Sequence, residues 1–156
     1  MAHAVSRVHE SGLPLVYVNM VGGQDELVYD GASFALNADG KLAAHLPSFS
    51  ETTSVIRVGE DFGVPSLAGQ MTPPDDGMGA LYRGLTLGLR DYIDKNGFPG
   101  VVLGLSGGID SAIVAALAVD ALGSERVHAV MMPSPYTSRE SLDDAADLAG
   151  RLGIRL

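Results

Sequence analysis

The chain has 156 residues, about the length of one domain, and its 46% apolar content excludes an intrinsically disordered segment. A net charge of −9 argues against non-specific nucleic-acid binding, which needs basic surface, and no apolar run is long enough to cross a membrane. The absence of cysteine excludes disulfides, thiolate metal sites and a thiol nucleophile, and no charged segment followed by an apolar one marks a secretory signal. A cytoplasmic location is the expectation. A polyphosphate ligand would need Mg²⁺ or backbone donors to offset the negative balance.

In chain order, residues 1–12 read as the end of a helix stopped by Gly12 and Pro14. Leu15 to Met20 reads as a strand, and Val21 to Leu27 as a polar, glycine-led loop. Ala32 to Leu36 and Leu42 to Leu46 flank Asn37-Ala38-Asp39-Gly40, and Asp-Gly between apolar runs predicts a hairpin. Thr53 to Val58 is a further short strand. From Gly63 to Gly79 the composition shifts to Gly, Pro, Met and Asp, including Pro73-Pro74-Asp75-Asp76-Gly77, which is linker chemistry. Met78 to Asn96 then reads as an amphipathic helix with Leu81, Leu85, Leu89 and Tyr92 on its core face. Two βα units follow: a strand at Val101 to Leu103 with a helix to Leu122, then a strand at Val127 to Met132 with a helix at Ser141 to Leu152. Such a repeat predicts a parallel sheet whose ligand sits beyond the carboxyl ends of its strands, at Ser106 to Ser111 and Pro133 to Arg139.

The stretch Gly104-Leu105-Ser106-Gly107-Gly108-Ile109-Asp110-Ser111 joins the first of these strands to its helix. Adjacent glycines allow a tight turn, and loop N–H groups with a helix N-terminus make an anion cradle that two serine hydroxyls can join. A Walker loop is excluded because no lysine follows Lys95, and a Rossmann fingerprint because Ser106 replaces its second glycine. Gly104 to Gly108 matches the G-x-S-x-G nucleophile elbow, but only His128 follows Ser106, and it opens the next strand. The plainest alternative is an ordinary βα turn with Asp110 as helix N-cap. Likewise Ser138 or Ser141 reads either as a ligand or as a cap.

The string G-L-S-G-G-I-D-S resembles the S-G-G-x-D-S signature of PP-loop ATP pyrophosphatases, which cleave ATP between the α- and β-phosphates. Tyr17 to Phe34, Y-V-N-M-V-G-G-Q-D-E-L-V-Y-D-G-A-S-F, resembles the late part of the nitrilase-like glutaminase domain of glutamine-dependent NAD synthetases. Further similarity to that family lies in L-R-D-Y-I-D-K-N-G-F, D-A-L-G and M-P-S-P-Y-T-S-R-E-S-L-D-D-A.

The resemblance implies an α/β chain in two parts: the β-rich tail of a nitrilase-like domain over residues 1–62, then a linker over 63–79. Residues 80–156 would begin a parallel-sheet, adenine nucleotide α-hydrolase-like (PP-loop) domain. The implied activity is an ATP-dependent carbon–nitrogen ligase, with ATP, deamido-NAD and glutamine or ammonia as its partners and a homo-oligomeric intact protein. It assigns Gly104, Leu105, Ser106, Gly107, Gly108, Ile109, Asp110, Ser111 and Met132 to ATP, and Asp110 also to Mg²⁺. The glutaminase nucleophile is expected outside the chain, which on this reading is a fragment inactive by itself. Two other readings stay open: a nucleotide-binding or interaction module without catalysis, and another PP-loop amidotransferase. A serine hydrolase built on the elbow is a third.

Overall fold

The computed structural model describes residues 1–61, 63–75 and 77–156. Phe62, the last residue expected of the first part, and Asp76 of the expected linker lie outside the described residues. The chain is mixed α/β and divides into two compact units: Met1–Gly22 with Val28–Gly84, and Gly23–Leu27 with Leu85–Leu156.

In the first unit, helix α1 (Ala2–Ser11) ends where Gly12 takes φ 67° and donates its N–H to the Val8 carbonyl. Strand β1 (Leu15–Tyr17) is shorter than expected. The Asn19 N–H goes to the Ser33 hydroxyl at 3.0 Å instead of a neighbouring strand, which ends the ladder. β1 pairs antiparallel with β4 (Phe34–Leu36), and β4 with β5 (Leu42–His45), so the expected hairpin forms. Ala35, Ala43, Ala44 and Leu67 make this unit's core, with Ile56 packed on them.

Three expectations are corrected here. Val21–Leu27 is no loop: β2 (Val21–Gln24) and β3 (Leu27–Asp30) form a hairpin turning at Asp25-Glu26, with Asp25 at φ 52°, a conformation Asp tolerates. The strand expected at Thr53–Val58 starts at Arg57 and runs as β6 (Arg57–Asp61). Its partner β7 (Val64–Ala68) occupies part of the expected linker, in register from Arg57↔Ala68 to Asp61↔Val64. Pro65 is admissible there because a two-stranded ribbon consists only of edges. The Asn37 side chain supports β7, accepting the Leu67 N–H at 2.7 Å and donating to the Leu67 carbonyl at 3.2 Å. Buried His45 holds the segment beyond through its N–H to Gln70, its carbonyl to Thr72 and a ring nitrogen 2.8 Å from the Thr72 carbonyl.

Helix α2 (Gly77–Lys95) forms as expected, but its apolar stripe does not. Leu87 and Ile93 are buried, Leu89 packs on the second unit's core, and Leu81, Leu85 and Tyr92 are about half exposed.

The second unit is built on β8 (Val101–Gly104) and β9 (Val127–Val130), parallel and in register from Val101↔Val127 to Gly104↔Val130. Between them runs α3 (Ile109–Leu122), and after β9 comes α4 (Arg139–Leu152), which begins two residues before the expected start. Arg155 bridges His128 from the other edge of β9. Ala115, Ala118, Ala145 and Ala149 pack with Leu105, Val127, Ala129 and Ile154, and the small alanines let both helices lie close to the sheet. The connection between α2 and β8 is tied by Arg126, which donates to the Phe98 and Pro99 carbonyls and pairs with Asp94 at 2.8 Å.

Also within this unit, Gly23 is gripped by α2 through both of its backbone groups. Its N–H donates to the Asp91 carboxylate at 2.8 Å, the Lys95 ammonium donates to its carbonyl at 2.6 Å, and Lys95 and Asp91 pair at 3.0 Å. Burial pushes the Asp91 carboxyl up, but the Gly23 N–H and the Lys95 ammonium outweigh it, so its pKa lies below the ordinary carboxylate value. A group depressed in the folded state stabilises above its unfolded pKa, and that contribution is lost as pH falls through the folded one. Thermal melts are therefore expected to show Asp91→Ala less stable by about 1–3 kcal/mol at neutral pH, since the Gly23 N–H loses its partner. The gap between variant and parent should narrow as pH falls below the ordinary carboxylate range. A gap constant from neutral pH to pH 3 would contradict the assignment.

Candidate nucleotide site

β8 delivers the chain into the core at Leu105, whose N–H bonds the Val130 carbonyl at 3.0 Å, so the sheet ladder continues one residue past the strand. The chain then reverses. Gly107 sits at φ 79°, in the left-handed region, and Gly108 returns to extended backbone as the N-cap of α3. Gly108 occupies the N-cap position, so Asp110 is not the N-cap; it is the second residue of the helix, the acidic residue of its first turn. That corrects the plainest alternative for this residue. The N–H groups of the first turn have no carbonyl behind them, and the helix dipole adds positive potential where they point.

The two serines fix this turn. Ser111 donates to the Gly108 carbonyl at 2.9 Å and accepts the Ser106 N–H at 3.2 Å, while the two hydroxyls lie 3.1 Å apart. The Gly108 N–H approaches the Ser106 hydroxyl at 3.4 Å. Among the described residues no imidazole joins this group. His128 pairs with Val102 near the start of the strands and lines a different recess with Pro99, Gly100 and Arg126. Among the described residues the Ser106 hydroxyl therefore meets Ser111 and backbone, and not the imidazole base that an elbow nucleophile needs.

The second helix of the sheet comes to the same turn. A Cβ placed on Gly107 would run into the backbone of Ser141, so α4 starts directly against the glycine turn. Ser138 is the N-cap of α4, accepting the Ser141 N–H at 3.2 Å, and the two hydroxyls lie 2.9 Å apart. The choice between cap and ligand at Ser138 thus falls to the cap. Thr137 anchors the preceding loop by accepting the Ser134 N–H at 2.8 Å.

Beside the turn lies a cavity of about 330 Å³ lined by Gly104, Leu105, Ser106, Met131, Met132, Pro133, Thr137 and Leu142. Of the residues expected at the site, Gly104, Leu105, Ser106 and Met132 line it, with Leu105 limited to backbone because its side chain is in the core. Gly107, Gly108, Ile109, Asp110 and Ser111 form the adjoining turn and helix start and do not line the cavity. Leu142 was not expected. Met131 also packs on the core, and Leu142 is the first apolar residue of α4, four places after its cap, a position that helix-start signals locate once Ser138 is taken as the cap.

The chain resembles known proteins in sequence and in fold. Residues 81–156 match the family described as NAD synthase. A glutamine-dependent NAD(+) synthetase of Rhodobacter capsulatus is 57% identical over 155 residues, 97% of this chain and 28% of that protein. The chain is similar to the glutamine-dependent NAD(+) synthetase family over nearly its whole length. A synthetase of that family from Acinetobacter baylyi is 45% identical over 90% of this chain and 26% of its own length. The solved glutamine-dependent NAD+ synthetase of Acinetobacter baumannii, in complex with ADP, superposes with a TM-score of 0.84 at 44% identity. That match covers 98% of this chain and 29% of that one. A synthetase structure from Cytophaga hutchinsonii, 19% identical over 97% of this chain and 31% of its own, has a TM-score of 0.72 and shares the fold. The chain thus spans under a third of the length of these relatives.

Proposed function

We propose that the second unit is the nucleotide-holding part of an ATP-dependent NAD synthetase, and that ATP binds with its phosphates over the Gly107-Gly108 turn. The observation that carries this reading is the convergence of two helix starts on one glycine turn beside a cavity of about 330 Å³. The ADP complex of the Acinetobacter baumannii relative supports it. In the reaction, a carboxylate oxygen of deamido-NAD attacks the α-phosphorus of ATP and the bond to pyrophosphate breaks. Ammonia derived from glutamine then attacks the acyl carbon, AMP leaves with the carbon–oxygen bonding pair, and a proton is released. The whole sequence belongs to a protein of the relatives' length.

This chain's share of that chemistry is electrostatic. Ser106, Gly107, Gly108 and Ser111 hold phosphate oxygens through hydroxyls and backbone N–H groups, and the start of α3 favours charge developing on the departing pyrophosphate. Gly104, Leu105 and Ile109 contribute backbone, and Met132 faces the adenine. Among the described residues no group of three or more His, Cys, Asp and Glu gathers as a metal site. Asp110 fits Mg²⁺ nonetheless, because that ion keeps several waters and is held by one or two carboxylates together with substrate phosphates. When bound, it would neutralise phosphate charge.

The same reading assigns residues 1–62 to the tail of a nitrilase-like glutaminase domain, 63–79 to a linker and 80–156 to the start of a PP-loop domain. It also takes the intact protein to be cytoplasmic and homo-oligomeric. The test is a chimera in which this chain replaces the matching segment of the Rhodobacter capsulatus relative. AMP and pyrophosphate released in step with NAD are expected, dependent on deamido-NAD. Release of ADP and phosphate would contradict α,β-cleavage, and nucleotide binding without turnover would favour a binding module.

A further inference from the structure

The cavity and its turn supply hydroxyls and backbone donors, yet none of the lining residues is basic. Arg139 stands next to them. It is the first residue of α4, two after cavity-lining Thr137 and two before Ser141, whose backbone lies against Gly107. Its position is electrostatically poor for the helix, since the dipole disfavours a cation in the first turn. Its partner is weak as well. Arg139 meets Asp143 at 3.9 Å with its side chain 93% exposed, the longest ion pair among the described residues. By contrast Lys95, Arg126 and Arg151 hold their carboxylates at 3.0, 2.8 and 2.7 Å. An exposed pair of that length contributes little, so re-aiming the guanidinium costs little.

We propose that Arg139 exchanges Asp143 for the terminal phosphates of the bound nucleotide, and so sets the preference of the site for polyphosphate over monophosphate. A guanidinium can take two phosphate oxygens at once, which neither the serine hydroxyls nor single N–H groups can do. The proposal rests on the nucleotide reading above. Its test is calorimetric titration of the chain and of Arg139→Gln and Arg139→Lys with ATP, inorganic pyrophosphate and AMP, alongside thermal melts. Arg139→Gln is expected to weaken ATP and pyrophosphate about tenfold or more, the usual worth of a hydrogen bond to a charged group. AMP affinity and the melting midpoint should stay close to the parent, and Arg139→Lys should recover part of the loss. Unchanged ATP affinity in Arg139→Gln would overturn the assignment and leave the nucleotide reading standing. Equal losses for AMP and ATP would assign Arg139 to the fold and overturn it too. Failure of the parent chain to bind any of the three would overturn both readings together.

Discussion

Gly107→Ala is expected to abolish nucleotide binding and to destabilise the second unit by more than about 2 kcal/mol. Two effects add. The residue sits at φ 79°, where an L side chain costs about 1–2 kcal/mol, and its Cβ would collide with the Ser141 backbone. A flexible side chain could swing away from such a collision; the start of a helix cannot. Either α4 shifts from the turn or the turn opens, and in both cases the phosphate donors lose their common focus. Gly97→Ala is the control. It shares the left-handed backbone, at φ 69°, but nothing lies within 4 Å of its added Cβ. It should cost only the conformational penalty of about 1–2 kcal/mol and leave binding intact. Chemical denaturation and a nucleotide titration on both variants check this. Equal effects of the two substitutions would mean that the contact with Ser141 is unimportant.

Asp110→Asn is expected to do the opposite: little to the fold and nearly everything to turnover. Gly108, not Asp110, caps α3, so the substitution removes only a favourable charge in the first turn, worth about 0.3–1 kcal/mol. Asn keeps an oxygen but not the negative charge that a hard divalent cation prefers. In the chimeric synthetase, pyrophosphate release should fall to background while the melting midpoint moves by only a few degrees, as expected for a change of this size. Near-normal release would remove Asp110 from metal binding.

The glycine turn was legible in the sequence because all its determinants are local. Apolar Val101 to Leu103, two glycines and an alanine-rich run specify strand, turn and helix within about twenty residues, and no distant partner can change that order. The Asp39-Gly40 hairpin was legible for the same reason. What escaped depends on partners that a sequence pattern does not name. Val64–Ala68 contains a proline and reads as linker until Arg57–Asp61 supplies its antiparallel mate and Asn37 its side-chain support. In α2, Leu81-Leu85-Tyr92 and Leu87-Ile93 are both apolar rows, and only the packing decides which one turns inward. At the site, Ser106 to Ser111 came from the motif, whereas Leu142 and the Gly107–Ser141 approach needed the second helix to be folded back onto the first turn.

On the proposed function, this turn and its cavity bind the diphosphate and base of an adenine nucleotide. Amide spectra of the isotopically labelled chain, recorded during titration with ADP, test it directly. Saturable shifts are expected at Gly104 to Ser111 and at Met131 to Leu142, largest at Gly107 and Gly108, with those at the two glycines absent when adenosine replaces ADP. Shifts centred instead on Pro99, Gly100 and His128 at the other end of the strands, or none at millimolar ADP, would contradict it.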